Sequence, residues 1–446
     1  MNLPTTKEGA LDIVRTLHAA GKRALLAGGC VRDLVLGVEP KDYDIATDAT
    51  PQEVARLFDK TIPVGIEFGI IAVLLKGEQY QVARFRTEGP YRDGRHPESV
   101  AFAEPEEDAR RRDFTINGML FDVEADRVID HVGGRGDLEA GVVRAIGDPL
   151  ARFGEDYLRM LRAVRFAARL EFEIEPATYK AIVATAPQIR RTSAERVRDE
   201  LTLILTEGSA SRGMALLMET GLLAQLMPEV AAMDGVAQAP EHHPEGDVWT
   251  HVKLMLERLD KGMSGTLAWG VLLHDIGKPP TYSESDRIRF HGHDAVGAKM
   301  AQDLCRRLHM SNDEIERISS LTADHMRFRH VKEMRLSKLK RFLRLPHFRE
   351  LLELHRIDCL CSHGKLDLYD FCLQQLEEGG GGEEELRPAL FLSGDDLIQV
   401  GFEPGPKFKE ILNRLEDEQL EGRLANREEA VAFVQREFGQ SSQQGP

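Results

Sequence analysis

Two aspartates separated by a single residue, Asp42 and Asp44, follow a glycine pair, Gly28-Gly29, in the stretch ALLAGGCVRDLVLGVEPKDYDIATDATP. In an extended segment alternate side chains share one face, so Asp42 and Asp44 point the same way, about 7 Å apart along the chain. Paired carboxylates at that spacing suit two hard cations such as Mg2+, which keep some of their waters while binding phosphate oxygens. The preceding apolar run, Ala24 to Ala27, reads as a buried strand. The glycines let the backbone turn sharply and bring its amides against a triphosphate before the next helix starts. Such a set suits nucleotidyl transfer, one cation lowering the pKa of an attacking hydroxyl and the other neutralising the leaving pyrophosphate.

A second set of chemically capable residues occupies the other half. His251 lies in DVWTHVKLML, His274-Asp275 in LLHDIGKP, His293 in FHGHDAVGAK, His325 in TADHMRF and Asp358 in LHRIDCLC. The His-Asp pair follows the apolar run Leu267 to Leu273, where an uncompensated charge is costly and a cation beside Asp275 compensates it. Imidazole plus carboxylate ligation suits Mn, Ni, Co, Fe or Zn and admits Mg, and such a metal activates water for phosphoester hydrolysis. His291 is either a further ligand or a loop residue. The alternative is a helical scaffold that binds RNA without cleaving it.

The elements that must position these groups divide the chain. At 446 residues it exceeds one core, and composition shifts place boundaries near 150, 236 and 379. Residues 1–150 alternate helical patterns with short apolar runs, ALLAG, GIIAVLL and YQVARF, the last two separated by Lys76-Gly77-Glu78 as a hairpin. This predicts a small α/β head with a mixed sheet. Beyond Asp148-Pro149, segments such as EDYLRMLRAVRFAARL and AERVRDELTLIL carry apolar residues at three- and four-residue spacing, predicting helix throughout. The expected parts are an α+β head (1–150), an all-α neck (151–235), a second helical domain (236–378), and a Gly/Glu linker with a helical tail (379–446).

The net charge of −16 argues at first against a nucleic-acid partner. The basic residues cluster, however, at Arg110 to Arg112, at Arg152, Arg159, Arg162, Arg165 and Arg169, and at Arg190, Arg191, Arg196 and Arg198. A local basic surface on an acidic protein can hold RNA. No apolar run approaches the roughly 18 to 20 residues of a membrane span, and the N-terminal residues lack a signal pattern, so a cytoplasmic protein without membrane contact is expected. The five cysteines show no paired CxxC and read as reduced thiols. Nothing in the sequence indicates an oligomeric state.

The ordered motifs of the first half resemble the class II tRNA nucleotidyltransferase and bacterial poly(A) polymerase family, of the polymerase-beta-like superfamily. Gly28, Gly29 and Arg32 with Asp42 and Asp44 look like its first motif, which carries the metal-binding carboxylates. Arg111, Arg112, Asp113 and Asn117, in RRDFTIN, look like the second, associated with ribose and triphosphate contacts. DHVGGRGDL (130–138) looks like the third, a flexible element between head and neck. Asp156, Arg159, Arg162 and Arg165, in EDYLRMLRAVRF, look like the fourth, and Glu195 to Arg198 like the fifth. The second half resembles the HD phosphohydrolase superfamily, whose helices converge His and Asp on a divalent metal. The resemblance implies addition of C and A from CTP and ATP to tRNA 3′ ends with Mg2+, alongside a phosphohydrolase that trims RNA ends. Poly(A) polymerase or A-only addition, and an HD phosphohydrolase with a non-catalytic RNA-binding head, are the alternatives.

Within the fourth motif, Asp156 and Arg159 are three apart and, on a helix, face the same way. A carboxylate accepts from the exocyclic amino group of cytosine or adenine, and a guanidinium donates to the adjacent ring nitrogen, whereas UTP and GTP set acceptor against acceptor. Gln81 in YQVARFR departs from the family, which usually shows a third acidic residue there. Either a neighbour such as Glu67 substitutes, or two aspartates suffice with a water. The segment 86–100, RTEGPYRDGRHPESV, resembles the flexible loop retained by members that add the terminal A, with His96 where arginine is common.

Overall fold

A computed structural model describes residues 6–89, 100–240, 243–378, 386 and 388–439. These form two compact units, one of Met1–Ala232 with Leu259–Ala268 and Leu304–Met310, the other of Met233–Arg258, Trp269–Asp303 and Ser311–Pro446.

The first unit begins with helix α1 (Lys7–Ala19), capped by Thr6, and strand β1 (Ala24–Ala27), fully buried as its unbroken apolar run requires. Next come α2 (Gly29–Val35), β2 (Asp44–Thr47) and α3 (Pro51–Leu57). A capping box of Thr50 and Glu53, with Pro51 at the first helical position, starts α3. Strands β3 (Thr61–Gly65), β4 (Ile70–Leu75) and β5 (Glu78–Arg84) follow, then the short pair β6 (Arg86–Glu88) and β7 (Val100–Phe102), and α4 (Pro105–Arg110), β8 (Leu120–Asp122), β9 (Arg127–Ile129) and α5 (Gly134–Ala140). One seven-stranded sheet takes the order β3-β4-β5-β2-β1-β8-β9. Only β2 and β5 run parallel; the other neighbours are antiparallel, so the sheet is mixed. Leu25, Ala27, Ala46, Phe85 and Leu120 form an apolar cluster in it. Residues 90–99, which hold most of the loop segment and His96, lie outside the described residues.

A two-residue parallel ladder, β10 (Val142–Val143) with β11 (Glu173–Ile174), precedes and follows the first neck helices. These are α6 (Pro149–Glu155), capped by Asp148, and α7 (Leu158–Leu170). Then come α8 (Pro176–Thr185), α9 (Ala194–Thr206), α10 (Ala210–Glu219), α11 (Leu222–Leu226) and α12 (Pro228–Ala231). Helix α7 buries Met160, Leu161, Ala163, Val164 and Ala167, the stripe its periodicity predicts, and packs on α9 and α10.

Among its described residues the second unit is helical apart from one hairpin. It contains α13 (Val248–Glu257), most of α14 (Gly265–Leu273), α15 (Lys278–Thr281), and the hairpin β12 (Tyr282–Glu284) and β13 (Ile288–Phe290). The first eleven residues of α16 (His293–Arg307) and all of α17 (Asn312–Asp324), α18 (Leu336–Leu343), α19 (Phe348–Cys361) and α20 (Asp367–Glu378) complete its main body. A separate apolar cluster of Leu392, Leu397, Ile411, Leu415, Phe433 and Val434 organises the C-terminal helices. The Gly/Glu stretch 379–385 lies outside the described residues. The sequence pattern anticipated the α+β head and helical remainder; it did not signal the β12–β13 hairpin, whose strands are only three residues each.

Candidate functional site

A cleft of about 560 Å³ in the first unit gathers the first, second and fourth motifs, with Gly28, Gly29, Arg32, Asp42, Asp44, Arg111, Arg112, Asp113, Asn117, Arg159, Arg162 and Arg165 in its lining. Asp44 opens β2 opposite Ala27 at the end of β1, immediately before the glycine turn. Gly28 has φ +79°, and a Cβ there would come within 2.8 Å of Arg112 Nη1 and 3.9 Å of Asp44 Oδ2. Glycine is therefore favoured for its backbone, while an added Cβ would displace the end of the Arg112 side chain. Gly28→Ala is expected to lose most nucleotide binding, measured by titration with CTP, while Gly29→Ala, whose nearest neighbour is an Arg32 nitrogen 3.6 Å away, is milder. Desolvation by the surrounding cleft raises the pKa of Asp44; the Arg112 guanidinium opposes the rise and neighbouring Asp42 adds to it.

The arginines of the cleft do not stand free. Arg32 donates to Asp33 and to Asn117 Oδ1 (2.8 Å), Asn117 donates to Asp113, and Arg162 donates to Asp113 at 2.8 Å. Arg162 also reaches Glu200 (3.5 Å); Arg165 pairs with Glu200 (2.8 Å) and Glu207 (3.0 Å); Arg169 reaches Glu207 (3.7 Å) and returns to Asp33 (3.5 Å). This closes a ring around Phe166, over whose face the Arg32, Arg162 and Arg165 guanidiniums lie at 4.5 to 5.3 Å. Burial works against ionising Asp113, but Arg162 and Asn117 hold its pKa down at about 2. Arg111 and Arg112 share Asp108, buried behind them.

The ring corrects the reading of this stretch as a simple basic surface: Arg165, although it lines the cleft, is buried between two glutamates and braces it. Arg165→Glu is expected to cost about 3 to 5 kcal/mol of stability, because it leaves Glu200 and Glu207 facing a third carboxylate, as calorimetric or denaturant unfolding would report.

A second correction concerns the fourth motif. Asp156 is not on a helix with Arg159; it sits in extended conformation (φ −153°, ψ 107°) at the break between α6 and α7. Its carboxylate caps Leu158 N–H and accepts from Arg196 of α9 at 2.6 and 3.2 Å. Arg159 lines the cleft and donates to Glu155 and to the Arg152 carbonyl. Three-residue spacing implies one helix face, whereas Asp156 ends α6 and its carboxylate caps the start of α7.

In the second unit the six predicted residues come together. The ligand atoms of His251, His274 and Asp358, and those of Asp275, His293 and His325, each lie within 4.8 Å of one another. The His274 Nδ1–H donates to the Val271 carbonyl (2.9 Å), that of His293 to Phe290 (2.9 Å), and that of His325 to Thr322 (2.6 Å). A carbonyl can only accept, so these bonds place a proton on Nδ1 and turn each Nε2 toward the cluster. His293 Nε2 and His325 Nε2 face each other at 3.2 Å, with Asp275 Oδ1 3.5 and 3.9 Å from them. With neutral rings these are lone pairs that converge as a cation's ligands do. His274 Nε2 is buried 3.1 Å from Asp275 Oδ2 with no hydrogen-bond partner, close to the ~3 Å edge between adjacent ligands of an octahedral ion with bonds of ~2.1 Å. The donor set therefore fits a divalent metal. Gly277 makes the arrangement feasible, since a Cβ on it would strike the His293 carbonyl at 2.1 Å.

The structure adds residues that the spacing did not single out. Glu245 accepts from His251 Nδ1 (2.7 Å) and His243 Nδ1 (2.9 Å), orienting the His251 ring. Lys278 is buried against Asp275 (2.7 Å) and Gln238 (2.6 Å). Lys278, three residues after Asp275 on the same turn, was legible; Glu245 was not. His291 is exposed and belongs to none of these groups.

Four family models match in order along the chain: the Poly A polymerase head domain at residues 24–144, the probable RNA and SrmB-binding site of polymerase A at 171–233, the HD domain at 246–346, and a putative tRNA nucleotidyltransferase domain 2 at 387–434. A CCA-adding enzyme of Limosilactobacillus fermentum is 31% identical over 430 residues, covering 95% of each chain. This chain belongs to the CCA-adding enzyme family. Other CCA-adding relatives align over less: the enzyme of Lactobacillus johnsonii is 38% identical over 57% of this chain and 65% of its own length, and that of Geobacillus thermodenitrificans 46% identical over 49% and 54%. The chain thus spans less than two thirds of those relatives in alignment. Among solved structures, the CCA-adding enzyme of Bacillus stearothermophilus in complex with CTP superposes with a TM-score of 0.73 at 28% identity, over 96% of each chain. The Thermotoga maritima CCA-adding enzyme complexed with tRNA shares the fold, with a TM-score of 0.57 at 19% identity.

Against the CCA-adding pattern, Gln81 occupies a telling position. The β2–β5 register pairs Ile45 with Val82, so one step earlier Gln81 stands beside Asp44 on the neighbouring strand, exposed on the same face. Glu67 lines a separate cavity and is absent from the lining of the cleft that holds Asp42 and Asp44. Gln81→Glu is expected to preserve or raise incorporation and to lower the Mg2+ concentration needed for half-maximal rate, read from a magnesium titration.

Proposed function

We propose that the protein adds C and A from CTP and ATP to tRNA 3′ ends at the cleft of the first unit. The observation that carries the reading is the convergence, in one cleft, of the Asp42 and Asp44 carboxylates with the Gly28-Gly29 turn and the arginines of the second and fourth motifs. Magnesium held by Asp42 and Asp44 would supply charge neutralisation at the reacting phosphates. The Gly28-Gly29 turn admits the triphosphate, Arg111 and Arg112 screen it, and Arg32, Asp113 and Asn117 hold the ribose and phosphate geometry. Asp156 and Arg159 read the base edge, Arg159 exchanging Glu155 for the ring nitrogen. The alignment over 95% of a CCA-adding relative and the superposition on a CTP complex support this reading. The head-domain family model favours a second reading, poly(A) addition. Product length on tRNA lacking its terminus decides: ATP with CTP gives three added nucleotides under the first reading, and ATP alone gives long tails under the second.

The second unit is assigned a metal-dependent phosphohydrolase activity on RNA 3′-end phosphoesters. His251, His274, Asp275, His293, His325 and Asp358 would hold a divalent ion, which supplies an activated water when bound. Glu245 orients His251, and the Lys278 ammonium balances Asp275 beside the incoming phosphate. The division into a head (1–150), neck (151–235), HD domain (236–378) and linker with tail (379–446) belongs to the same proposal. No helix among the described residues is long and apolar enough to cross a membrane.

A further inference from the structure

Asp156 is the acidic member of the pair read here as the base selector, and its surroundings show how it is held. The residue lies outside regular helix, where the backbone alone does not set its rotamer. Two contacts do so. Its Oδ1 accepts the Leu158 N–H at 3.1 Å, and the Arg196 guanidinium donates to both oxygens, Nη1 to Oδ1 at 3.2 Å and Nη2 to Oδ2 at 2.6 Å. The pair is largely enclosed, the side chains 26% and 17% exposed for Arg196 and Asp156. Arg196 itself comes from a different helix, α9, and Asp156 is its one hydrogen-bond partner among the described contacts.

A carboxylate has about four lone-pair sites. The fork of Arg196 and the Leu158 amide occupy three of them, leaving the oxygens locked in plane with an acceptor site on Oδ2. A carboxylate fixed in this way presents that acceptor in one direction. Were it free to rotate, the lone pair would no longer be aimed at the amino group that CTP and ATP present, and discrimination would be lost. Lysine does not replace the fork, because one ammonium cannot hold both oxygens in plane.

We propose that Arg196 is a positioning residue for nucleotide selection, holding Asp156 as a fixed acceptor so that C and A are taken and U and G refused. The inference rests on the reading of Asp156 as a base selector, and the experiment separates the two. Arg196→Met, Arg196→Lys, Asp156→Ala and the Asp156→Ala/Arg196→Met double variant are compared in the full-length protein for kcat/KM with CTP, UTP, ATP and GTP, together with tRNA affinity and Tm. Arg196→Met is expected to lower the CTP:UTP and ATP:GTP ratios by about tenfold or more. Arg196→Lys should restore them only in part, and the double variant should match Asp156→Ala alone. A ratio within about twofold of wild type in Arg196→Met, while Asp156→Ala collapses it, overturns the role of Arg196 and leaves the selector reading standing. Unchanged ratios in Asp156→Ala overturn the selector reading itself. A uniform fall for all four nucleotides with a lowered Tm marks Arg196 as a structural brace and also overturns the proposal. Should Arg196→Met not fold, Arg196→Gln carries the test under the same criterion.

Discussion

Asp44→Ala is expected to reduce nucleotide incorporation by about a thousandfold or more while tRNA binding stays near wild type. Its carboxylate stands at the end of β2 opposite the glycine turn, beside the Arg112 side chain and in the field of Asp42. Removing it takes away a ligand for the charge-neutralising cation, whose contribution of several kcal/mol corresponds to roughly three powers of ten in rate. The substitution removes a negative charge and no basic side chain, so affinity for a polyanion has no reason to fall. Single-turnover incorporation at saturating magnesium and a gel-shift titration with tRNA measure the two quantities. Near wild-type incorporation in the variant would remove the first motif from the chemistry altogether.

The second large effect concerns the histidine cluster. His274→Ala is expected to abolish cleavage of phosphoester substrates and to lower bound divalent metal, with nucleotide addition surviving. His274 Nε2 is a buried lone pair with no hydrogen-bond partner next to Asp275, so its removal deletes a ligand without stranding a donor. Metal content by elemental analysis and hydrolysis of 2′,3′-cyclic and terminal phosphates across Mg2+, Mn2+, Ni2+, Co2+, Fe2+ and Zn2+ form the test. If the wild-type protein binds only substoichiometric metal and cleaves none of these, the cluster is a scaffold. The geometry argues against that outcome, because His293 and His325 turn two acceptor nitrogens toward one another at 3.2 Å.

Much of this was legible because it depends on near neighbours in sequence. The buried strand Ala24–Ala27, the turn at Gly28-Gly29 and the paired aspartates are read over some twenty residues; β1 and β2 place Asp44 beside the turn, whereas Asp42 lies in a bend just before β2 and so outside the strand alternation. The histidine set was legible for a different reason: a charged residue after an apolar helix demands a partner, and few residue types can serve. What escaped depends on distant segments. The break at Asp156 is invisible in spacing, since EDYLRMLRAVRF keeps helical periodicity through it; only Arg196, from another helix, reveals that Asp156 is held outside. Arg165 and Arg169 looked like a basic surface because their acidic partners, Glu200, Glu207 and Asp33, lie 35 to 136 residues away.

The closed ring of arginines and carboxylates around Phe166 has a thermodynamic consequence. Eight cationic and five acidic side chains line the cleft, so its positive potential is largely compensated before any nucleotide arrives. Under the proposed function, an incoming triphosphate would trade one set of anions for another: a guanidinium that turned to a phosphate oxygen would release a carboxylate, which the next arginine in the ring could take up. The cost of ordering these long side chains was met when the protein folded, so little would remain to be met on binding. Such a cleft would exchange successive anions without either trapping one or leaving a bare cluster of positive charge between them.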